Sequence, residues 1–309
     1  MPTLKEIKVR IGSVKSTLKI TSAMKLVASA KLRKAQKAIE AMRPYEQALQ
    51  DILAAVSVPG AQEALFAPEK VKEAVAGAAE AVFAPRPRAI VAIASNSSLC
   101  GGFNANVIAK VRSVRRPGDE VYSVGRKMAD AMRRDGFPSP KELNDLAEHP
   151  AYGPAAELVE DLTKDVEKGR IGQVLLVYTH FVSTAKQVPV VEHLLGRVEP
   201  GAEENYFSQG FAKNQFSSAI TTPTHADAII EPNREELLAE LLPKTLKLKL
   251  YAALLDSAAA EHAARTVAMQ TATDNAENLL SELTLQYNKG RQQKITSEIL
   301  DLAGGQAEQ

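Results

Sequence analysis

The sequence predicts an α/β domain inserted between two long terminal helices that pair with each other as an antiparallel coiled coil. Three observations predict it. The first 56 residues carry an apolar seam in one unbroken heptad register. The last stretch forms a second helical run of roughly 70 residues. Between them, short strands alternate with helices, the pattern of a Rossmann-like, mostly parallel sheet.

The N-terminal seam is read from Leu4. One row is Leu4, Ile11, Leu18, Lys25, Leu32, Ile39, Glu46 and Leu53, the other Ile7, Val14, Thr21, Ala28, Ala35, Met42, Leu49 and Val56; thirteen of these sixteen positions are apolar. A 3.5-residue repeat held over this length specifies a helix that lies against another helix. Thr3 and Glu6 make a capping-box pattern at its start. Pro59 and Gly60 stop it after about residue 57. Pro44 removes one backbone bond and predicts a local bend or break. At about 1.5 Å per residue the helix would span roughly 80 Å.

Residues 59–84 are Ala- and Glu-rich between prolines and read as a linker. Strands are expected at 88–94, 120–124, 173–181 and 187–194, the last two as a hairpin, and helices at 103–114, 126–134 and 155–167. Residues 196–226 lack periodicity and read as a long surface loop, with one more short strand at 228–231. Asn233 and Glu236 then cap the second long helix, which passes Pro243 and Gly290 as weak points and stops at Gly304 and Gly305. The Ala-rich run 258–264 permits close approach of another backbone. The expected division is therefore an N-terminal coiled-coil helix at 1–58, a linker at 59–84, an α/β side domain at 85–231 and a C-terminal coiled-coil helix at 232–305. Each end helix needs cover for its seam, and the other end is the nearest candidate.

Composition narrows the function. The chain is 45% hydrophobic, only 5% aromatic and free of Trp, which suits helix pairs filled with Leu, Ile and Ala better than a deep ligand pocket. Its net charge is +1, so no global signal for a polyanion exists. The one cysteine, Cys100, excludes an internal disulfide framework and a Cys-based zinc site and suits a reducing compartment. No signal-peptide pattern opens the chain. The longest apolar run, 89–94, is far short of the roughly 20 residues a membrane span needs, so work at a membrane is expected to go through partners.

Residues 95–104, Ser-Asn-Ser-Ser-Leu-Cys-Gly-Gly-Phe-Asn, lie between a strand and a helix. A glycine turn there fits phosphate on a helix N-terminus, but it lacks the G-x-G-x-x-G and P-loop patterns; the alternative is a tight turn at the edge of the sheet. Cys100 at a helix start fits a thiolate nucleophile, but none of the five histidines is arranged as its base, and His180 and His193 fall on strands as packing residues. No metal-ligand spacing is present. Charge is more telling: residues 1–40 hold ten basic residues and two acidic ones. Such an excess suits a solvated helix face, an acidic protein surface or a nucleic acid. The absence of any aromatic before Tyr45 weakens the last. The polar segment 287–298 ends the second helix with hydrogen-bonding side chains that fit partner loops or a fraying tip.

Four stretches, 11–28, 99–104, 261–276 and 287–292, resemble the gamma subunits of F-type ATP synthases, in family order and over nearly the whole chain. The resemblance implies a central rotor shaft that performs no reaction and carries no cofactor or metal. It would stand inside a ring of alternating alpha and beta subunits and couple proton or sodium flow to ATP synthesis or hydrolysis there. Its side domain would join the epsilon subunit and the membrane c-ring, at the cytoplasmic face of the bacterial inner membrane. By the same resemblance Met24 and Lys25 would approach an acidic loop of a beta subunit, and Arg291, Gln292 and Thr296 would bond to a catch loop of the ring. The family turn usually has Asp, and later Gly, before its Leu-Cys-Gly; here Asn96 and Ser98 stand instead. Residues 59–84 and 196–226 are longer than is usual. From the residues alone, a nucleotide-binding α/β enzyme with coiled-coil dimerisation arms and a basic helical nucleic-acid binder are the competing readings.

Overall fold

The computed structural model describes residues 3–56, 86–196, 231 and 233–305. The linker at 59–84, nearly all of the 196–226 loop and the strand expected at 228–231, apart from residue 231, lie outside them. The chain divides into two compact units, one built from Met1–Ala30 with Arg265–Gln309, the other from Lys31–Ala264.

Helix α1 (Leu4–Val56) begins at the expected box, where Glu6 Oε2 accepts the Thr3 N–H at 2.9 Å and Thr3 Oγ1 accepts the Glu6 N–H at 3.3 Å. It continues through Pro44, which is exposed, so water can take the backbone bond that proline cannot make. Every one of the sixteen seam positions is buried or half-buried. Helix α6 (Arg234–Gly305) likewise passes Pro243 and Gly290 unbroken, and opens on Asn233, whose Oδ1 accepts the Glu236 N–H at 2.8 Å.

In the first unit the two helices meet antiparallel. A Cβ added to Gly290 would lie 3.1 Å from Leu4 Cδ2, Thr273 Oγ1 donates to Thr21 Oγ1 at 3.0 Å, and Lys25 Nζ donates to Gln270 Oε1 at 2.7 Å. Numbers rise on one helix as they fall on the other. Ile7, Ala28, Met269, Ala276 and Leu283 are buried along this contact.

In the second unit Leu32 and Ala35 pack on Ala259 and Ala263, and Leu49 packs with Leu241 and Leu248. The alanines let the backbones approach as the sequence predicted. The sheet has the order β2-β1-β3-β4, with β1 (Arg88–Ile93) parallel to β2 (Glu120–Val124) and β3 (Gln173–Phe181), and β4 (Gln187–Gly196) antiparallel to β3. Period-2 alternation splits β1 between two cores. Ala89, Val91 and Ile93 face a cluster with Leu158 and Leu162 of α5 (Tyr152–Glu167) and Leu250 and Leu254 of α6. Ile90 and Ala92 face Val107 and Val111 of α2 (Phe103–Val114) and Met128 and Met132 of α3 (Arg126–Arg134). Each such buried Leu, Ile or Met contributes about 1.5–3 kcal/mol. Helix α5 starts three residues earlier than the pattern suggests, because Pro154 sits in its first turn, where no N–H is missed. The short α4 (Asn144–Glu148) has no periodic signature and was not expected. Pro189 lies in β4, a strand at the end of the strand order, where proline is tolerated.

Two devices hold the sheet. Arg88 makes a bidentate pair with Asp119, Nε to Oδ1 at 3.1 Å and Nη2 to Oδ2 at 2.6 Å, with both side chains 4% exposed. Gly125 (φ +95°) joins β2 to α3 where an added Cβ would stand 2.2 Å from Ala94 O. Asp119→Ala, which strips the carboxylate from a buried guanidinium, is expected to cost about 3 kcal/mol. Gly125→Ala, which adds both a clash and left-handed strain, is expected to cost about 2 kcal/mol or more. Thermal unfolding of the two variants checks both values.

Candidate partner-binding surface

The expected contact residues all lie in the first unit. Met24 is half-buried beside the seam. Lys25 occupies a seam position, and its ammonium crosses to Gln270 Oε1, while Gln270 Nε2 donates onward to Asp274 Oδ1 at 2.7 Å. A lysine in a helix seam thus finds a polar partner and half-buries its stem. Arg291, Gln292 and Thr296 are exposed, as is every residue from 291 to 300. The reason is register: Gly290 meets Leu4, the first residue of α1, so α1 does not extend along the last turns of α6. Thr296 Oγ1 donates to the Gln292 carbonyl at 2.9 Å, and Lys294 lies 3.7 Å from Glu298. The two predicted groups are not brought together. Gln270, which Lys25 touches, and Arg291 are about 30 Å apart along one helix.

Apolar side chains that the heptad does not account for stand in water here. On α1 they are Val9 (64% exposed), Ile20, Leu26 and Val27; on α6 they are Val267, Leu285 (71%), Ile295, Ile299 and Leu300. Sequence reasoning missed them: on α1 each lies outside the seam rows, which is the signal that marks it, whereas on α6 nothing local separates them from core, and Ile295 and Ile299 read as part of the helix's apolar run. Interspersed with them, Lys5, Lys8, Arg10, Lys15 and Lys19 are exposed and make no ion pair among the described residues. An apolar and basic surface of this kind suits burial against an acidic partner rather than permanent exposure.

The glycine turn is wired to itself. Asn104 Oδ1 accepts the Ser95 N–H at 3.1 Å and its Nδ2 reaches Ser97 O at 3.2 Å and Cys100 Sγ at 3.2 Å. Asn96 bridges two helix starts, accepting the Arg126 N–H at 2.9 Å and donating to Asn144 O at 2.8 Å. Cys100 is 1% exposed and packs with Phe103 and Ala260, so it has the surroundings of a structural thiol. The turn follows β1, which is an internal strand, so it lies at the carboxyl end of the sheet and not at its lateral edge. Leu99, at φ +67° and 58% exposed, is the turn's one outward apolar side chain.

A shallow cleft of about 360 Å³ is lined by Tyr122, Lys141, Leu158, Asp161, Lys164 and Asp165 among others. Both of its carboxylates are paired: Asp161 with Lys141 at 3.0 Å, and Asp165 with Arg170, which also pairs with Glu120. The hydrogen bond from Arg170 holds the Asp165 carboxyl below its ordinary range, whereas burial pushes the Tyr122 phenol up. Among the described residues no cluster of three or more His, Cys, Asp and Glu is placed to hold a metal, and no helix is long and apolar enough to cross a membrane.

A family model described as ATP synthase matches residues 3–307. The chain is similar to the ATP synthase gamma chain of Phocaeicola vulgatus, 44% identical with 99% of each chain covered. It is also similar to that of Heliobacterium modesticaldum, 37% identical, again with 99% of each covered. Among solved structures its fold is similar to a chain in the rotor of the Euglena gracilis mitochondrial ATP synthase, with a TM-score of 0.63, 19% identity and coverage of 94% and 98%. It also resembles a chain in the central stalk and c-ring of the Tetrahymena thermophila enzyme, with a TM-score of 0.53, 22% identity and coverage of 82% and 99%. A family match across nearly all of the residues, carried by relatives of the same length and by the helix-flanked sheet just described, means that the chain belongs to the ATP synthase gamma chain family.

Proposed function

We propose that this chain is the central rotor shaft of an F-type ATP synthase, passing torque between an ion-driven membrane c-ring and an alpha–beta ring that makes or hydrolyses ATP. The observation that carries the reading is the uncovered end of the paired helices: ten consecutive exposed residues from 291 to 300, with apolar and basic side chains left in water. Torque transfer needs stiffness and an asymmetric surface. Two helices joined along a seam supply the first. The basic face of α1 supplies the second, since a symmetric shaft could not hold three identical sites in three different states.

In this reading Met24 and Lys25 meet an acidic loop of a beta subunit, and Arg291, Gln292 and Thr296 hydrogen-bond to a loop of the ring. Polar contacts exchange with water at little net cost, about 0.5–1.5 kcal/mol each, which suits a part that must turn. The side domain joins the epsilon subunit and the c-ring. The chain itself performs no reaction, and its one thiol and its glycine turn are committed to internal contacts. It sits at the cytoplasmic face of the bacterial inner membrane, held there by its partners.

Arg291→Ala combined with Gln292→Ala tests the contacts. Because both side chains are exposed, the isolated chain is expected to melt as before, with stability unchanged within about 0.5 kcal/mol. In the membrane-bound enzyme, the double variant is expected to hydrolyse ATP with less ion pumping per ATP. Unchanged assembly, synthesis and pumping would contradict the assigned contacts.

A further inference from the structure

Within the second unit, α1, β3, β4 and α6 bring together titratable side chains that the proposed coupling role does not use. Asp256 of α6 is 4% exposed; its Oδ2 lies 2.6 Å from His180 Nδ1 on β3, and its Oδ1 accepts the Phe181 backbone N–H at 3.1 Å. Glu192 of β4 is buried, accepts the Tyr178 hydroxyl at 3.0 Å and stands 3.7 Å from Lys249 Nζ of α6. Lys249 also donates to His193 O at 2.7 Å. From α1, half-buried Glu46, with Arg43 one turn before it, lies within electrostatic reach of Glu192, Lys249 and Asp256. Three carboxylates therefore come within electrostatic reach of one another, with Lys249 beside Glu192 and His180 beside Asp256, and the two on the sheet and α6 are almost dry. A buried carboxylate is tolerated only when a cation or a proton compensates it. At 2.6 Å from Asp256, the imidazolium form of His180 is that cation.

We propose that this cluster is a proton-operated clasp, in which protonated His180 locks Asp256 of α6 to the tip of β3 and loss of the proton loosens the helix pair from the sheet. It is a property of the chain alone and stands or falls separately from the coupling role.

The electrostatics agree in sign. Burial disfavours the imidazolium, but the Asp256 hydrogen bond and charge, with the charge of Glu192, outweigh it and hold His180 above its ordinary 6.5. Burial raises Asp256 against the pull of His180, and burial raises Glu46 against Arg43 and Lys249. A group whose proton affinity rises on folding contributes stability that is complete below its unfolded pKa and is lost as pH climbs through the folded one. His193 runs the other way: burial and Lys249 lower it to about 4, so it costs stability as pH falls from 6.5 towards that value. Tyr178, raised well above 10 by burial and Glu192, keeps its proton throughout. The clasp is thus read cleanly only above 6.5, through His180.

Backbone hydrogen exchange in the intact chain, corrected for intrinsic rates, tests this. The reporter is the Phe181 amide, and β1 is the internal reference. Between about pH 6.5 and about pH 8.5, protection at Phe181 is expected to fall at least about threefold while β1 is unchanged. Asp256→Asn, or His180→Gln if the first variant fails to fold, is expected to flatten that change to less than about 1.5-fold. Imidazole NMR of the unmodified chain needs no variant, and should place His180 above 6.5. A His180 that titrates at or below 6.5 overturns the proposal, as do parallel losses at Phe181 and β1, or an undiminished pH response in both variants.

Discussion

A helix of 53 residues with an apolar stripe along its whole length is stable in water only while that stripe is covered. The cover comes from the other end of the chain. In each of the two units, α1 residues pack against α6 residues in antiparallel register, Leu4 with Gly290 and Thr21 with Thr273 in one, Leu32 with the Ala259–Ala263 face in the other. The remaining features depend on that constraint. The α/β insert has to leave and rejoin the pair between Val56 and Arg234, and one of its two cores is completed by α6 itself. The terminal turns of α6 have to be bare, because α1 runs out before they do.

The seam's exceptions carry as much information as its rule. Three positions in the two rows are polar, and each has a counterpart. Thr21 meets Thr273, Lys25 meets Gln270, and Glu46 faces the charged group around Lys249 and Asp256. A polar residue in an otherwise apolar seam costs stability and selects the register in which its partner is found, since any slip leaves it facing an apolar neighbour. Three such matches spread along α1 favour one alignment of the two helices over its neighbours a heptad away.

Most of the architecture was legible because it rests on periodicity. The 3.5-residue repeat in α1, the capping pairs Thr3–Glu6 and Asn233–Glu236, and the alternating strands are local patterns that tertiary contacts reinforce. What escaped is non-local. Nothing in sequence pairs His180 with Asp256, 76 positions away, or shows that Glu46 belongs to the same cluster. The bare apolar residues Leu285, Ile299 and Leu300 are indistinguishable from core until the register is known. Pro44 reads as a bend or break and Pro243 as a weak point because intrinsic preference disfavours proline inside a helix, yet both helices run through. The expected contact residues are legible only by resemblance. No composition rule separates Arg291 from any other exposed arginine.

The antiparallel register of α1 on α6 is the claim on which the account turns, and a cross-link tests it most directly. With Cys100→Ala to remove the native thiol, cysteines at Thr21 and Thr273 should close into an intrachain disulfide under mild oxidation, seen as a two-hydrogen mass loss and a faster-migrating band. Cysteines at Thr21 and Thr296 should stay reduced. Failure of the first pair to close, or equal closure of the second, would contradict the pairing.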